Sequence, residues 1–162
     1  MLSSVRIDAV AVFVQHSVHI GSPILAVSVA LAQGPNEWFP RLEESGIAAV
    51  GPVVAGIGIR KNVDVEFGEP LAAGSWTEVP VTWRARSVPH LFPVMTGKIE
   101  LSPVDSRNTR LTVCGMYRAP LGDLGRFLDG ALMHSVAEAT VKDLAESIAA
   151  RLGALVRSAS WS

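Results

Sequence analysis

The sequence has one cysteine and few cations, and each shortage excludes a class of structure or partner. Because Cys114 is alone, no disulfide can form within the chain. The net charge is −1 at pH 7, and the three lysines and eleven arginines are scattered rather than grouped into a basic block. Nucleic-acid binding needs clustered Lys and Arg to neutralise phosphates, so we expect no nucleic-acid partner.

Long apolar runs are also missing, although 49% of the residues are hydrophobic and only 18% are charged. The longest uncharged stretch, residues 9–36, is interrupted by polar side chains, Gly21 and Pro23. A membrane-spanning helix needs about 20 mostly apolar residues without such breaks. Residues 1–8 lack the basic start and apolar run of a secretory signal. We therefore expect no membrane span and a cytoplasmic protein with apolar surfaces that line a cavity or a subunit contact.

What the sequence does have is regular alternation of apolar and polar residues in four segments. In residues 57–67, 76–86, 94–101 and 108–118 the apolar set falls on the odd-numbered positions. Alternation with a period of two predicts strands that have one covered face. Four such strands in succession favour an antiparallel sheet.

Helical signals lie at both ends of this strand series. A valine-rich strand over residues 5–20 is followed by a predicted helix over 23–32, with Ser22 as its N-cap and Pro23 at its first position. A second short helix is predicted over 35–44. The final helix is predicted to run to about Arg157, because leucines recur every three to four residues. Its start is either near Leu121 or, since Gly125 and Gly130 weaken the first turns, near Asp129.

The order of these elements resembles the helix-grip fold of the START and birch-pollen-allergen superfamily, also called SRPBCC. The segments most similar to bacterial polyketide cyclase/dehydrase-type members are Trp83-Arg84-Ala85, Leu91-Phe92-Pro93, residues 97–101, residues 115–122, Asp129 and residues 134–140. The resemblance implies an α+β domain in which a curved antiparallel sheet of about six or seven strands wraps around a long C-terminal α-helix, with two short helices after the first strand. Length and resemblance together predict one domain over residues 1–162.

The resemblance implies a hydrophobic pocket between the sheet and the C-terminal helix, but it names no reaction. The expected function is therefore binding of a small hydrophobic ligand, for transport or processing. One alternative is a polyketide cyclase/dehydrase-like enzyme acting on an aromatic or polyketide-like substrate. A second alternative is a non-catalytic structural or interaction protein. Whether the protein is an enzyme stays open, and no cofactor is expected.

The candidate walls of the pocket are large apolar residues of the strands and the final helix. They are Trp83, Met95, Tyr117, Phe127 and Ala131. Trp83 and Tyr117 fall on the apolar faces of their strands, and each carries one polar atom that seeks a partner when buried. The alternative interpretation for each of these residues is ordinary core packing.

Candidates for chemistry are few, since the sequence contains no nucleotide-binding loop, nucleophile elbow or zinc-protease motif. His134 and Glu138 are one helical turn apart and can form an acid-base pair. The leucine stripe directs both mainly outward, so a surface ion pair is the alternative. Tyr117 is the third candidate, as a polar group in the pocket wall. No metal site is expected, because His16 and His19 point to opposite faces of one strand.

The outer face of the predicted sheet is partly apolar. If the odd positions of the first strand are inside, Val10, Val12 and Val14 are outside, together with Cys114 and Met116 of the last strand. Such a stripe is typical of a contact in a homodimer. The alternative is an edge of the sheet that a short helix covers.

Overall fold

A strand, two short helices, a run of strands and a long final helix follow one another along the chain. The computed structural model describes residues 11–43, 46–50, 53–54, 57–58, 61–86, 94–118 and 130–160. The elements are β1 (Ala11–Ile20), α1 (Ile24–Leu31), α2 (Pro35–Trp38), β2 (Ile47–Val50), β3 (Val53–Val54), β4 (Ile57–Gly58), β5 (Lys61–Phe67), β6 (Leu71–Ala73), β7 (Trp76–Ala85), β8 (Met95–Pro103), β9 (Thr109–Arg118) and α3 (Gly130–Ala159).

Seven strands form one open, curved antiparallel sheet in the order β1-β9-β8-β7-β5-β2, with β6 beside β7. Strands β3 and β4 pair separately. The first strand of the chain lies against the last strand, β9. The architecture is the predicted α+β arrangement of a curved antiparallel sheet and a long C-terminal helix.

The inner face of the sheet carries the predicted odd-numbered residues of β5, β7, β8 and β9, and α3 lies across it. The residues that α3 buries against it recur at helical spacing: Val141, Leu144, Ile148 and Leu152. Burying a side chain of this size contributes about 1.5–3 kcal/mol. Packing against the sheet, rather than helix propensity, therefore holds α3 in place.

The two short helices begin and end differently from the prediction. α1 has Pro23 rather than Ser22 at its N-cap, and no side chain caps it. The Ser22 carbonyl instead accepts a hydrogen bond from Thr109 Oγ1 at 2.8 Å. α2 ends at Trp38, six residues before the predicted end, because Phe39 precedes Pro40 and takes an extended conformation.

The prediction for the inner and outer faces of β1 was wrong. Val14 is buried, whereas Phe13 is 53% exposed. The register explains the reversal, because Val14 lies opposite Gly115, and the even positions of β1 therefore share a face with the odd positions of β9. The outer apolar stripe accordingly consists of Phe13 and its cross-strand partner Met116, not of Val12 and Val14. Val10 lies outside the described residues.

Cys114 lies on the outer side of β9, as the alternation predicts, but it is buried. Its Sγ contacts the carbonyl oxygen of Lys98 at 3.8 Å. Burial raises the pKa of the Cys114 thiol above its ordinary value. Because the thiolate is the reactive form, this environment makes Cys114 a poor nucleophile.

Within the described ranges, no helix is long and apolar enough to cross a membrane.

Candidate functional site

Strand register places three of the predicted pocket residues in one row across the inner face. Trp83 of β7 lies opposite Met95 of β8, and Met95 lies opposite Tyr117 of β9. Val65 of β5 and Val12 of β1 extend the row at its two ends. The row therefore crosses five strands and places one phenol among four apolar side chains.

The next row of the inner face contains two glycines side by side. Gly97 of β8 lies opposite Gly115 of β9, between Val81 and Val14. A Cβ on Gly115 would lie 2.9 Å from Met95 Sδ and 3.6 Å from Trp83 Cη2. Met95 and Trp83 therefore lean over Gly115 and lie along the sheet rather than standing away from it.

Burial is nearly complete along the whole inner face. Leu101, Leu111 and Leu152, at the far end, are 0% exposed. Met95 of the row retains 7% exposure, and Ala137, in the first turns of α3, retains 9%.

The Tyr117 hydroxyl is the polar group of this row. Tyr117 is 4% exposed. Among the described residues, none is recorded as a hydrogen-bond partner of its hydroxyl, although every fully buried side-chain nitrogen or oxygen there has one.

Two influences raise the pKa of Tyr117 above its ordinary value of 10.0. Burial is the larger, and the negative charge of Glu138 is the smaller. Tyr117 is therefore a neutral hydrogen-bond donor at physiological pH. The effect of Glu138 also shows that the N-terminal part of α3 lies near the row.

His134 and Glu138 form an ion pair on α3, with 3.2 Å between His134 Nε2 and Glu138 Oε1. Their side chains are 45% and 61% exposed, in agreement with the outward direction that the leucine stripe predicts. The three residues proposed for chemistry thus lie at the same end of the molecule. Only Tyr117 belongs to the inner face, and the ion pair lies on the exposed side of α3.

The remaining predicted wall residues lie partly or wholly outside the described part. Phe127 lies outside the described residues, and for Ala131 the structure describes the helical backbone but not the side chain. Both stay predictions.

Sequence reasoning missed three residues of this region: Val12, Gly115 and Ala137. Val12 was assigned to the wrong face of β1. Gly115 belongs to the apolar set of β9, and its neighbour across the sheet is also a glycine, but the pairing that joins them is not visible in a single sequence. Ala137 gives no signal of its own, because alanine is common in any helix.

No metal site is indicated in the part of the chain that the structure covers, since no three His, Cys, Asp or Glu side chains there form a suitable group. His16 and His19 lie on opposite faces of β1, as the odd spacing predicts, opposite Val113 and Arg110 respectively.

The titration of Tyr117 gives a direct test of this geometry, because Tyr117 is the sole tyrosine of the chain. Absorbance at 295 nm should show tyrosinate forming with a midpoint above pH 10.0. Glu138→Gln should lower that midpoint, while burial keeps it above 10.0. Since the folded state holds a proton that the unfolded state releases above pH 10.0, the free energy of unfolding should fall as the pH rises beyond that value.

The matched control for this titration is Glu146→Gln. Glu146 lies two turns further along α3, is exposed and pairs with Lys142. Its replacement should leave the Tyr117 midpoint unchanged. Equal midpoints for the wild type and Glu138→Gln would show that Glu138 does not act on the hydroxyl.

No family model matches the sequence, and no curated protein matches it either. Solved structures do match. A norcoclaurine synthase from Thalictrum flavum is 11% identical, with 96% of this chain and 99% of that chain covered and a TM-score of 0.54. An aromatase/cyclase from Streptomyces sp. R1128 is 18% identical over 91% and 94% of the two chains, with a TM-score of 0.50. The chain has the SRPBCC-type helix-grip fold.

A START superfamily protein from Mycobacterium smegmatis has a similar structure. It is 13% identical, with 88% of this chain and 98% of that chain covered and a TM-score of 0.50. At these identities the likeness establishes the fold and leaves the activity open. It confirms the fold that the order of elements predicted.

Proposed function

We propose that this protein binds a small hydrophobic molecule between the inner face of the sheet and the N-terminal half of α3. The observation that carries the proposal is the Tyr117 hydroxyl, which lies in a row of apolar side chains without a hydrogen-bond partner among the described residues. Ligand sites in proteins have this composition, with mostly apolar walls and a few polar groups that fix orientation. Among the solved structures with this fold are an aromatase/cyclase and a norcoclaurine synthase in complex with a transition state analogue, which supports a role with a small molecule.

The chemistry of Tyr117 narrows the ligand. Its raised pKa keeps the hydroxyl protonated, so it donates a hydrogen bond to an acceptor oxygen. The nearby negative charge of Glu138 disfavours an anionic group at that position. A neutral carbonyl or hydroxyl oxygen on an apolar body therefore fits best, with Trp83 and Met95 against the apolar part.

A pair of probes tests the role of Tyr117. Wild-type protein should bind 2-naphthol and melt at a higher temperature in its presence. Tyr117→Phe should weaken 2-naphthol binding about fivefold to tenfold, because one neutral hydrogen bond is lost. The affinity for naphthalene, which has no oxygen, should stay the same. Isothermal calorimetry measures both affinities, and thermal melts confirm that the variant is folded.

If neither probe binds or shifts the melting temperature at millimolar concentration, the proposed function is wrong. If Tyr117→Phe weakens the binding of both probes equally, the ligand site stands, but the Tyr117 hydroxyl does not form a hydrogen bond with the ligand. Native mass spectrometry of the purified protein, searching for a retained small molecule, would identify the natural ligand class.

A second candidate function is the cyclisation or dehydration of an aromatic or polyketide-like substrate. It is favoured by the position of the His134–Glu138 pair near the Tyr117 hydroxyl, since cyclisation needs titratable groups close to the bound chain. The pair is exposed, so binding without turnover is the first choice. If mass spectrometry detects the loss of one water from a bound polyketide-like compound, catalysis becomes the first choice and binding without turnover the second.

Three broader expectations stay predictions: the cytoplasmic location, the single domain over residues 1–162, and a homodimer. The stripe expected for the homodimer contact was Val10, Val12, Val14, Cys114 and Met116, of which Val14 and Cys114 are buried.

A further inference from the structure

The outer face of the sheet carries an exposed apolar patch at the end where β7 and β9 finish. Phe13 is 53% exposed, its cross-strand partner Met116 is 48% exposed, and Val94 is 43% exposed. Val94 directly precedes Met95, which lies opposite Tyr117, so Val94 and Met116 are diagonal neighbours on the outer face. Phe13, Val94 and Met116 are called the outer patch below.

Two arginines border the outer patch. Arg84 follows Trp83 and Arg118 follows Tyr117, and both arginine side chains are exposed. Because Trp83 and Tyr117 face inward, the residues that follow them belong to the outer face. β7 and β9 are the two neighbours of β8, so the Cα atoms of Arg84 and Arg118 are two strand spacings apart, roughly 10 Å.

Neither arginine forms an ion pair with a carboxylate of the described residues. Asp64 lies directly opposite Arg84, but its carboxylate pairs with Arg86 instead, at 3.2 Å. Arg118 lies opposite Ala11 of the neighbouring strand, which carries no charge. The outer patch therefore combines an exposed apolar surface with two positive charges whose hydrogen-bond donors are available to a partner.

Charge distinguishes between the possible occupants of this surface. A symmetric contact between two copies of the chain would bring the arginines of both copies into one interface, where like charges are unfavourable. An anionic membrane attracts clusters of about four to eight Lys and Arg, whereas the described residues supply two at this patch. A protein segment with two carboxylates matches two arginines, since each guanidinium binds one carboxylate through two parallel hydrogen bonds.

We propose that the outer patch docks an acidic amphipathic helix of a partner protein. Two carboxylates seven residues apart on a helix are separated by about 10 Å along its axis, which matches the spacing of Arg84 and Arg118. Apolar side chains between them on the same helical face contact the outer patch, where the flexible Met116 adapts to their shape. This inference does not depend on the proposed ligand site, which lies on the other face of the sheet.

Fluorescence anisotropy with a labelled synthetic helix of about 18 residues tests the inference. The acidic peptide carries two glutamates seven residues apart, with two leucines between them on the same face. The control peptide has glutamine in place of both glutamates. The wild-type protein should bind the control peptide at least about tenfold more weakly than the acidic peptide, because two charge-assisted hydrogen-bonded pairs are lost. Added salt should weaken the binding of the acidic peptide alone.

Variants of exposed residues locate the binding surface. Arg84→Glu and Arg118→Glu should each weaken the acidic peptide about tenfold, and Phe13→Ser should weaken both peptides. Arg110→Glu is the matched charge control, because Arg110 is an exposed arginine on the same face of β9, roughly 26 Å along the strand from Arg118. Leu25→Ser is the apolar control, because Leu25 is 78% exposed on α1. Neither control should change either affinity, and circular dichroism establishes that each variant is folded.

The inference is supported if Arg84→Glu and Arg118→Glu weaken the acidic peptide and Arg110→Glu does not. If Arg110→Glu has the same effect, the peptide responds only to net charge and the inference is wrong. It is also overturned if the acidic peptide does not bind the wild type at millimolar concentration, or if phosphatidylserine vesicles bind the protein more tightly than the peptide does. A wild-type dimer that Phe13→Ser converts to a monomer, measured by sedimentation, would make this face a contact between copies and overturn the inference.

Discussion

Replacing Gly97 with alanine is expected to destabilise the fold by more than about 3 kcal/mol, a loss that few single substitutions cause. A Cβ at this position would overlap the carbonyl oxygen of Cys114 and lie 2.9 Å from the Gly115 Cα. These are backbone atoms of β9, paired with β8, so no side-chain rotation relieves the overlap. Relief requires β8 and β9 to separate where they cross the middle of the sheet.

Gly115→Ala is the matched control for this prediction. Its Cβ would meet the Sδ and Cγ atoms of Met95, which are the flexible part of a side chain. We expect a cost of about 1 kcal/mol, since Met95 can move. Urea unfolding followed by circular dichroism measures both variants. A Gly97→Ala protein as stable as Gly115→Ala would show that β8 and β9 can separate at this point with little loss.

Replacing Ala137 with phenylalanine is expected to abolish ligand binding while leaving the fold intact. Ala137 faces inward from the N-terminal half of α3, where the proposed ligand would lie, and it retains 9% exposure. A phenyl ring would occupy that space and exclude a ligand, weakening 2-naphthol binding about a hundredfold or more. Since the ring fills space rather than displacing neighbours, the free energy of unfolding should change by less than about 1 kcal/mol.

The same substitution two turns later is the contrast. Ala145 is 0% exposed, and its neighbours along α3 are buried against the sheet. Ala145→Phe should destabilise the protein by about 1–3 kcal/mol, because there is no room for the ring. Calorimetric binding and urea unfolding of both variants locate the space along α3. Equal destabilisation by both substitutions would place the N-terminal half of α3 in a filled core.

The strands that were predicted well are those whose covered face is apolar at every second position. β7, β8 and β9 have this pattern, and in each the odd-numbered set proved to be the inner one. The prediction of α3 succeeded for the same reason, since its leucines repeat with the helical period. Each pattern is local, because it records only which side of an element is covered.

The faces of β1 are an error of interpretation rather than a missing signal. Val12, Val14, Val18 and Ile20 occupy even positions and alternate with Gln15, Ser17 and His19, so the period of two already favours the even face as the inner one. The pairing of Val14 with Gly115, about a hundred residues away in the chain, places that face on the inside. The early end of α2 is also a local effect, because proline at position 40 disfavours a helical conformation at Phe39.

The candidate site, too, was predictable only in part. Trp83, Met95 and Tyr117 were selected individually, as large residues on apolar faces. Their position in one row depends on the register of two strand pairs, β7 with β8 and β8 with β9, and the sequence of a single strand does not determine that register. The packing of Met95 over Gly115 was not predictable at all, since it involves a side chain from the neighbouring strand.

By itself, the sequence determined the types of element, their order and the covered faces of most strands, because these depend on interactions between residues close together in the chain. Tertiary structure alone decided which strands are neighbours, in which register they pair and which side chains surround Tyr117. The physical reason is that register and packing are set by contacts between distant segments, and their energies are properties of pairs rather than of single residues.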